Sequence, residues 1–219
     1  MENLSLMLLL SMIIPMTMTI FVFEKRTRTN LLFLMLGIIT CFFCGELNGL
    51  LYNALSIELR EFTVNITPIT EEFAKAYPIF LYTFFLKPEE KKIHESSIII
   101  GIGFSILENA YLLAQNIGSV SLGLALIRGF GSGMMHGIST FAVGYGISFI
   151  YKEKKLRIPG SLAMMCLAIS YHSIYNNFVQ SPYRMIGFLM PIVTFIAIVI
   201  LMKMKKANTK KLNPEAKEV

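Results

Sequence analysis

Long apolar runs separated by short charged connections fill most of this chain. Seven of them, near 4–23, 31–52, 66–86, 96–115, 120–150, 161–180 and 184–202, approach the roughly 20 residues that cross a bilayer as helix. Open strands cannot span lipid, because their backbone groups would go unpaired, and the runs lack the alternation of a barrel strand. The pattern therefore predicts an all-α polytopic membrane protein with about seven transmembrane helices. The fifth run is long enough to tilt or to begin at the interface. Nothing divides the chain further, so 1–202 reads as one membrane domain, and 203–219 as a basic tail expected to be disordered.

Four interruptions of the apolar pattern carry chemistry. They are Thr70-Glu71-Glu72-Phe73-Ala74-Lys75, Phe104-Ser105-Ile106-Leu107-Glu108-Asn109, Met135-His136-Gly137 and His172-Ser173-Ile174-Tyr175-Asn176. A charge in hydrocarbon costs several kcal/mol unless it is paired or serves a function. Four such groups in one small bundle predict a polar site inside the membrane.

Composition and charge add orientation. Of 219 residues only 16% are charged and 54% are apolar, against about 25% charged in soluble domains. The first, third and fifth connections and the tail hold Lys25, Arg26, Arg28, Lys87, Lys91, Lys92, Lys152, Lys154, Lys155, Arg157 and six further lysines, whereas the other connections hold only Arg60 and Arg184. The positive-inside rule then puts the N-terminus outside, the C-terminus in the cytoplasm and the protein in the cell membrane as a multi-pass chain. The net charge of +6 is thus a topology signal. Its basic residues flank membrane segments and form no basic domain, so nucleic acid is not an expected partner, while membrane lipid is. The first run lacks a basic leader and a small-residue cleavage site, and reads as a retained helix. Cys41 and Cys44, spaced C-x-x-C within an apolar run, read as buried thiols.

Helical spacing gathers the polar residues within each motif. Glu71 and Lys75 are four apart, Glu72 and Lys75 three, His172 and Asn176 four, so each pair shares a face. Glu71 and Glu72 diverge by about 100°, so one is expected to pair with Lys75 or a neighbouring helix while the other points into the site. Counted from the cytoplasmic ends at about 1.5 Å per residue, Glu71, Glu72, Glu108, His136, His172 and Asn176 all fall in one slab roughly 16 to 23 Å up, at or just outside the midplane. Gly129, Gly133 and Gly137 form a small-residue stripe expected to let helix backbones approach closely. Arg128 is expected to snorkel or pair with an acid, and Glu46 and Asn48 to be interfacial. Such a set suits hydrolysis in two ways. Two histidines and a carboxylate can hold a divalent ion, zinc above all, while another glutamate acts as base. Alternatively, a buried glutamate can activate water directly, helped by histidine and by Asn176 as oxyanion donor.

In order and spacing, Glu71-Glu72-x-x-Lys75, Phe104-x-x-x-Glu108-Asn109, the lone His136 and His172-x-x-x-Asn176 resemble the PrsW family of intramembrane proteases, distant relatives of the CAAX prenyl proteases. The resemblance implies an integral membrane protease that cleaves a single-pass anti-sigma factor on its extracytoplasmic side, starting regulated proteolysis under envelope stress such as antimicrobial peptides. It implies a catalytic core of Glu71, Glu72, Glu108, His136 and His172. Asn176 stands where the family often has aspartate, and Glu95-Ser96-Ser97 where an aspartate-containing stretch is usual. The expected roles are ligation of metal or water by Glu108, His136 and His172, and a base drawn from Glu71 and Glu72. Lys75 is expected to orient the second glutamate, and Asn176 to polarise the scissile carbonyl. Two rival readings are a non-proteolytic scaffold or immunity protein that keeps the cluster for packing, and an ion-coupled transporter.

Overall fold

The computed structural model describes residues 4–20, 23–116, 118, 120–152, 155 and 158–212. Among these the chain is helical throughout its regular structure, in the order α1 Leu4–Thr19, α2 Lys25–Leu55, α3 Leu59–Glu61, a π-helical turn Phe62–Ile66, α4 Thr67–Leu86, α5 Glu90–Gln115, α6 Leu122–Lys152, α7 Pro159–Val179 and α8 Arg184–Leu212. The seven long helices correspond to the seven apolar runs. Three of them (Lys25–Leu55, Glu90–Gln115 and Arg184–Leu201) are long and apolar enough to cross a membrane by length and composition alone. Helices α4, α6 and α7 fall short of that measure because they carry the acids, lysine, histidines and amides of the polar motifs. Helix α8 runs on past the apolar run to Leu212, and 213–219 lie outside the described residues. So do Lys154 and Arg157 of the charge pattern.

Helix boundaries follow local chemistry. Helices α2 and α4 end on Ser56 and Lys87, each in the left-handed region, at φ 51° and 43°. The π turn has a clear cause in Pro68, at the start of α4. Proline has no N–H for the Val64 carbonyl and its ring presses on it. The preceding turn widens instead, and Thr67 N–H reaches back five residues to the Phe62 carbonyl.

Helix α6 is the hub, packing against α4, α5, α7 and α8, while α5 is held between α2 and α6. Two glycines of α5 permit this. A Cβ at Gly101 would strike the His136 carbonyl of α6, and one at Gly103 the Leu34 carbonyl of α2. The stripe Gly129, Gly133 and Gly137 does not do what its spacing suggested. A Cβ at Gly129 would meet nothing within 4 Å, and at Gly133 and Gly137 only side chains at 3.6–3.8 Å. The stripe faces an apolar groove between α5, α6 and α8, and the close backbone approach belongs to Gly101. Ala76 and Ile79 of α4, Ile100 of α5, Val143 and Ile147 of α6 and Ala168 of α7 form a buried apolar cluster one or two turns from the polar residues. It closes the polar region on the side of the α4 C-terminus. Exposed Phe43, Leu50, Phe84, Phe85 and Phe130 are faces suited to lipid.

Candidate active site

Helices α4, α5, α6 and α7 each deliver part of one connected network. Glu72 and Lys75, three apart on α4, form an ion pair of 2.7 Å with both side chains fully buried. A buried pair is maintained only where further hydrogen bonds offset desolvation. Here Glu72 Oε1 also accepts from Ser139 Oγ at 3.1 Å and from His172 Nδ1 at 2.8 Å. Lys75 Nζ in turn donates to His136 Nδ1 at 2.9 Å and lies 4.8 Å from the centre of the Phe104 ring. His136 Nε2 meets Glu108 Oε2 at 2.8 Å, and Ser132 Oγ reaches the same oxygen at 3.3 Å. The two imidazoles stand edge to face, 5.0 Å between centroids.

These contacts fix the tautomers. An ammonium can only donate, so His136 Nδ1 accepts and its Nε2 carries the hydrogen offered to Glu108. A carboxylate accepts, so His172 Nδ1 carries its hydrogen toward Glu72. The His172 Nε2 lone pair is left facing Glu71 Oε2 at 3.7 Å. The divergence of Glu71 and Glu72 around α4 is resolved accordingly: Glu72 takes the lysine, and Glu71 faces the free nitrogen.

Glu71, Glu72, Lys75, Glu108, His136 and His172 are thus brought together. Asn176 is not joined to them by a hydrogen bond. Its Nδ2 donates to the Thr63 carbonyl of the π turn at 3.0 Å, where Arg60 also reaches Asn177 Oδ1 at 3.1 Å and Thr63 Oγ1 meets Gln180 Oε1 at 3.0 Å. Asn48 accepts from Thr70 Oγ1 at 2.6 Å. Ser132 and Ser139 were missed from the sequence. Their signal was their position four before and three after His136, on its own face of the helix. Arg128 does approach an acid, with Nη2 4.0 Å from Glu108 Oε1 while Nε donates to Asn109 Oδ1 at 3.1 Å. Glu108 and Arg128 are also the accessible edge of the network, with side chains 25% and 23% exposed, whereas Glu72, Lys75 and His136 are at 0%. Cys41 and Cys44 are buried free thiols.

An all-helical bundle that gathers three carboxylates, two imidazoles and a lysine at one spot, all of them buried except Glu108, is a multi-pass membrane protein with an internal acid–imidazole site. The family model of the PrsW family intramembrane metalloproteases matches residues 25–202, and the chain belongs to that family, which makes it an intramembrane protease. No curated protein and no solved structure matches it.

A metalloprotease family implies a metal ion, and the residues present fit one. Glu71, His136 and His172 each offer a ligand atom, all within 4.8 Å of one another. Glu71 Oε2 and Glu72 Oε2 are buried without a hydrogen-bond donor, a costly state for a carboxylate oxygen unless a further partner is supplied. Three carboxylates also face only two permanent cations, Lys75 and Arg128, so the network has room for positive charge. Glu72 on His172 Nδ1 is the carboxylate–histidine arrangement that orients a metal-binding imidazole.

Proposed function

We propose that this protein is an intramembrane endopeptidase whose substrate is a single-pass membrane protein of the anti-sigma-factor type. Water attacks a peptide bond near the extracytoplasmic side, in a response to envelope stress. The observation that carries this reading is the continuous chain of contacts, Glu71–His172–Glu72–Lys75–His136–Glu108, assembled from four helices. The excess of basic residues on one set of connections supports placing the accessible Glu108 edge in the outer half of the membrane.

Both histidines belong to the expected ligand set and to the set that the geometry favours. The third ligand differs: Glu108 by expectation, Glu71 by proximity. In our reading Glu71, His136 and His172 would hold a divalent ion, zinc by ligand type. Bound there, it would supply Lewis acidity toward water and the scissile carbonyl. His136 must give up either Lys75 or Glu108 to bind it, because both ring nitrogens are engaged. Glu108, at the accessible edge, takes the proton of the attacking water and returns it to the leaving amine. Arg128 beside it lends a donor to the developing oxyanion. Glu72 and Lys75 are positioning residues, fixing the rings of His172 and His136. Asn176 is engaged by the Thr63 carbonyl and acts by holding the π turn.

The test compares new N-termini in membranes of cells making the wild type or the Glu72→Gln, His136→Ala and Glu108→Gln variants at matched levels. Cleavage at the outer end of a single-span protein should require the wild type and vanish in all three. Metal analysis of the purified proteins separates the ligand sets. Glu71→Gln should lose the ion and Glu108→Gln should keep it. Undiminished cleavage by all three variants would end the protease reading.

A further inference from the structure

Away from the active site, the first turns of α2 and α5 and the last turns of α4 enclose a cavity of about 580 Å³ with a different chemistry. Four cations line it, Lys25 and Arg26 from α2 and Lys91 and Lys92 from α5, against two acids, Glu89 and Glu95. Thr29, Asn30, Tyr82 and Ser96 also line it and add hydroxyl and amide groups. Of the four cations only Lys91 has a carboxylate within ion-pair distance among the described residues, Glu95 at 3.9 Å, on an exposed side chain. Such a contact neutralises little. Neither α2 nor α5 carries a side-chain cap at its start, so unpaired backbone N–H groups reinforce the same field.

Charge bias alone would scatter these cations along the membrane edge. Here two cations from each of two helices, distant in sequence, converge on one hollow with hydrogen-bond donors among its walls. We infer that this cavity binds a phosphate-bearing anion. The height of the site favours the headgroup of an anionic phospholipid as the source. The cavity lies where α2 and α5 begin and α4 ends, the level at which helices leave hydrocarbon for headgroups, on the side that the basic connections assign to the cytoplasm. A phosphodiester accepts from several donors at once, which suits the ammonium and guanidinium groups that line this cavity from two helices. Lipid bound here would tie α2 to α5, the helix that carries Glu108.

The test uses the full chain in nanodiscs of neutral phosphatidylcholine with rising fractions of phosphatidylglycerol. Retained lipid is read by mass spectrometry and stability by the unfolding midpoint. The variant Arg26→Gln/Lys92→Gln leaves Lys25, Arg28 and Lys91 to maintain topology. It is compared with Lys154→Gln/Lys155→Gln, which removes the same charge from another basic connection. The wild type and the loop variant should retain phosphatidylglycerol and rise in midpoint with it. The cavity variant should bind it roughly fivefold more weakly for each cation removed while eluting as a folded protein. A parallel titration with inorganic phosphate in neutral detergent distinguishes the source. Stabilisation of the wild type by phosphate alone would place a soluble phosphate in the same site, and its absence points to the lipid. Equal loss in both variants, or a wild type indifferent to both ligands, would overturn the inference.

Discussion

Replacing Lys75 by methionine tests whether the network is held by charge or only by shape. Methionine preserves most of the side-chain length and volume, so the packing change is small. It removes the cation from a fully buried pair 2.7 Å across. Breaking a buried pair from one side costs about 3–5 kcal/mol, because the remaining carboxylate is left uncompensated. The hydrogen bond to His136 Nδ1 is lost as well, worth about 1 kcal/mol. A second variant, Lys75→Met with Glu72→Gln, removes both charges yet keeps an amide able to meet Ser139 and His172. Reversible unfolding in mixed micelles should therefore show the single variant severely destabilised. The double variant should recover at least about 2 kcal/mol of that loss as coupling between the two sites. The exposed Lys203→Gln, within about 0.5 kcal/mol of wild type, sets the scale for an inconsequential lysine. If Lys75→Met unfolds with the surface variant, or if the double variant is simply additive, the pair contributes nothing and the electrostatic account of the site is wrong.

Two further outcomes follow from the packing. Gly101→Ala drives a methyl group into the His136 carbonyl and should cost about 1–3 kcal/mol and reduce cleavage, read by the same unfolding and cleavage assays. Gly129→Ala meets open space and should be neutral or stabilise the helix by up to about 1 kcal/mol. Asn176→Ala removes the tether to the Thr63 carbonyl and should cost about 1 kcal/mol while leaving the metal content of the purified protein unchanged. A variant that lost its metal would return Asn176 to the site itself.

Much of this arrangement was legible in the residues. The apolar runs locate the seven long helices, because hydrocarbon demands internally bonded backbone. They miss the ends, since backbone hydrogen bonding does not stop at the edge of the apolar stretch. Helix α2 begins at Lys25 and α5 at Glu90, inside segments read as connections. The polar site was visible because each buried charge violates the local pattern. Which acid takes Lys75 was not, since Glu71 and Glu72 differ only in rotation about α4, and that is decided by neighbouring helices. Glycine spacing misled for a related reason. The stripe on α6 advertises close approach, but approach depends on what lies opposite, and the partner backbone meets Gly101 of α5. Asn176 shares a helix face with His172, yet its amide is captured by a carbonyl freed by the π turn, a feature set by Pro68 and by no repeating pattern.

That widened turn also sets the angular phase of α4, the helix that carries Glu71 and Glu72. The stretch 59–86 is continuous helical chain interrupted by one loose coil at 62–66, and that coil, with the short α3 before it, is stitched to the end of α7 through Arg60, Thr63 and Asn176. Each residue advances a helix by about 100°. Dropping or adding one residue between the stitches and Glu71 would swing both acids off the histidines, and Ala76 and Ile79 out of the apolar cluster with them. The outer stitching is thus an index mark for the inner chemistry, and length in this short segment is constrained more tightly than the identity of its side chains.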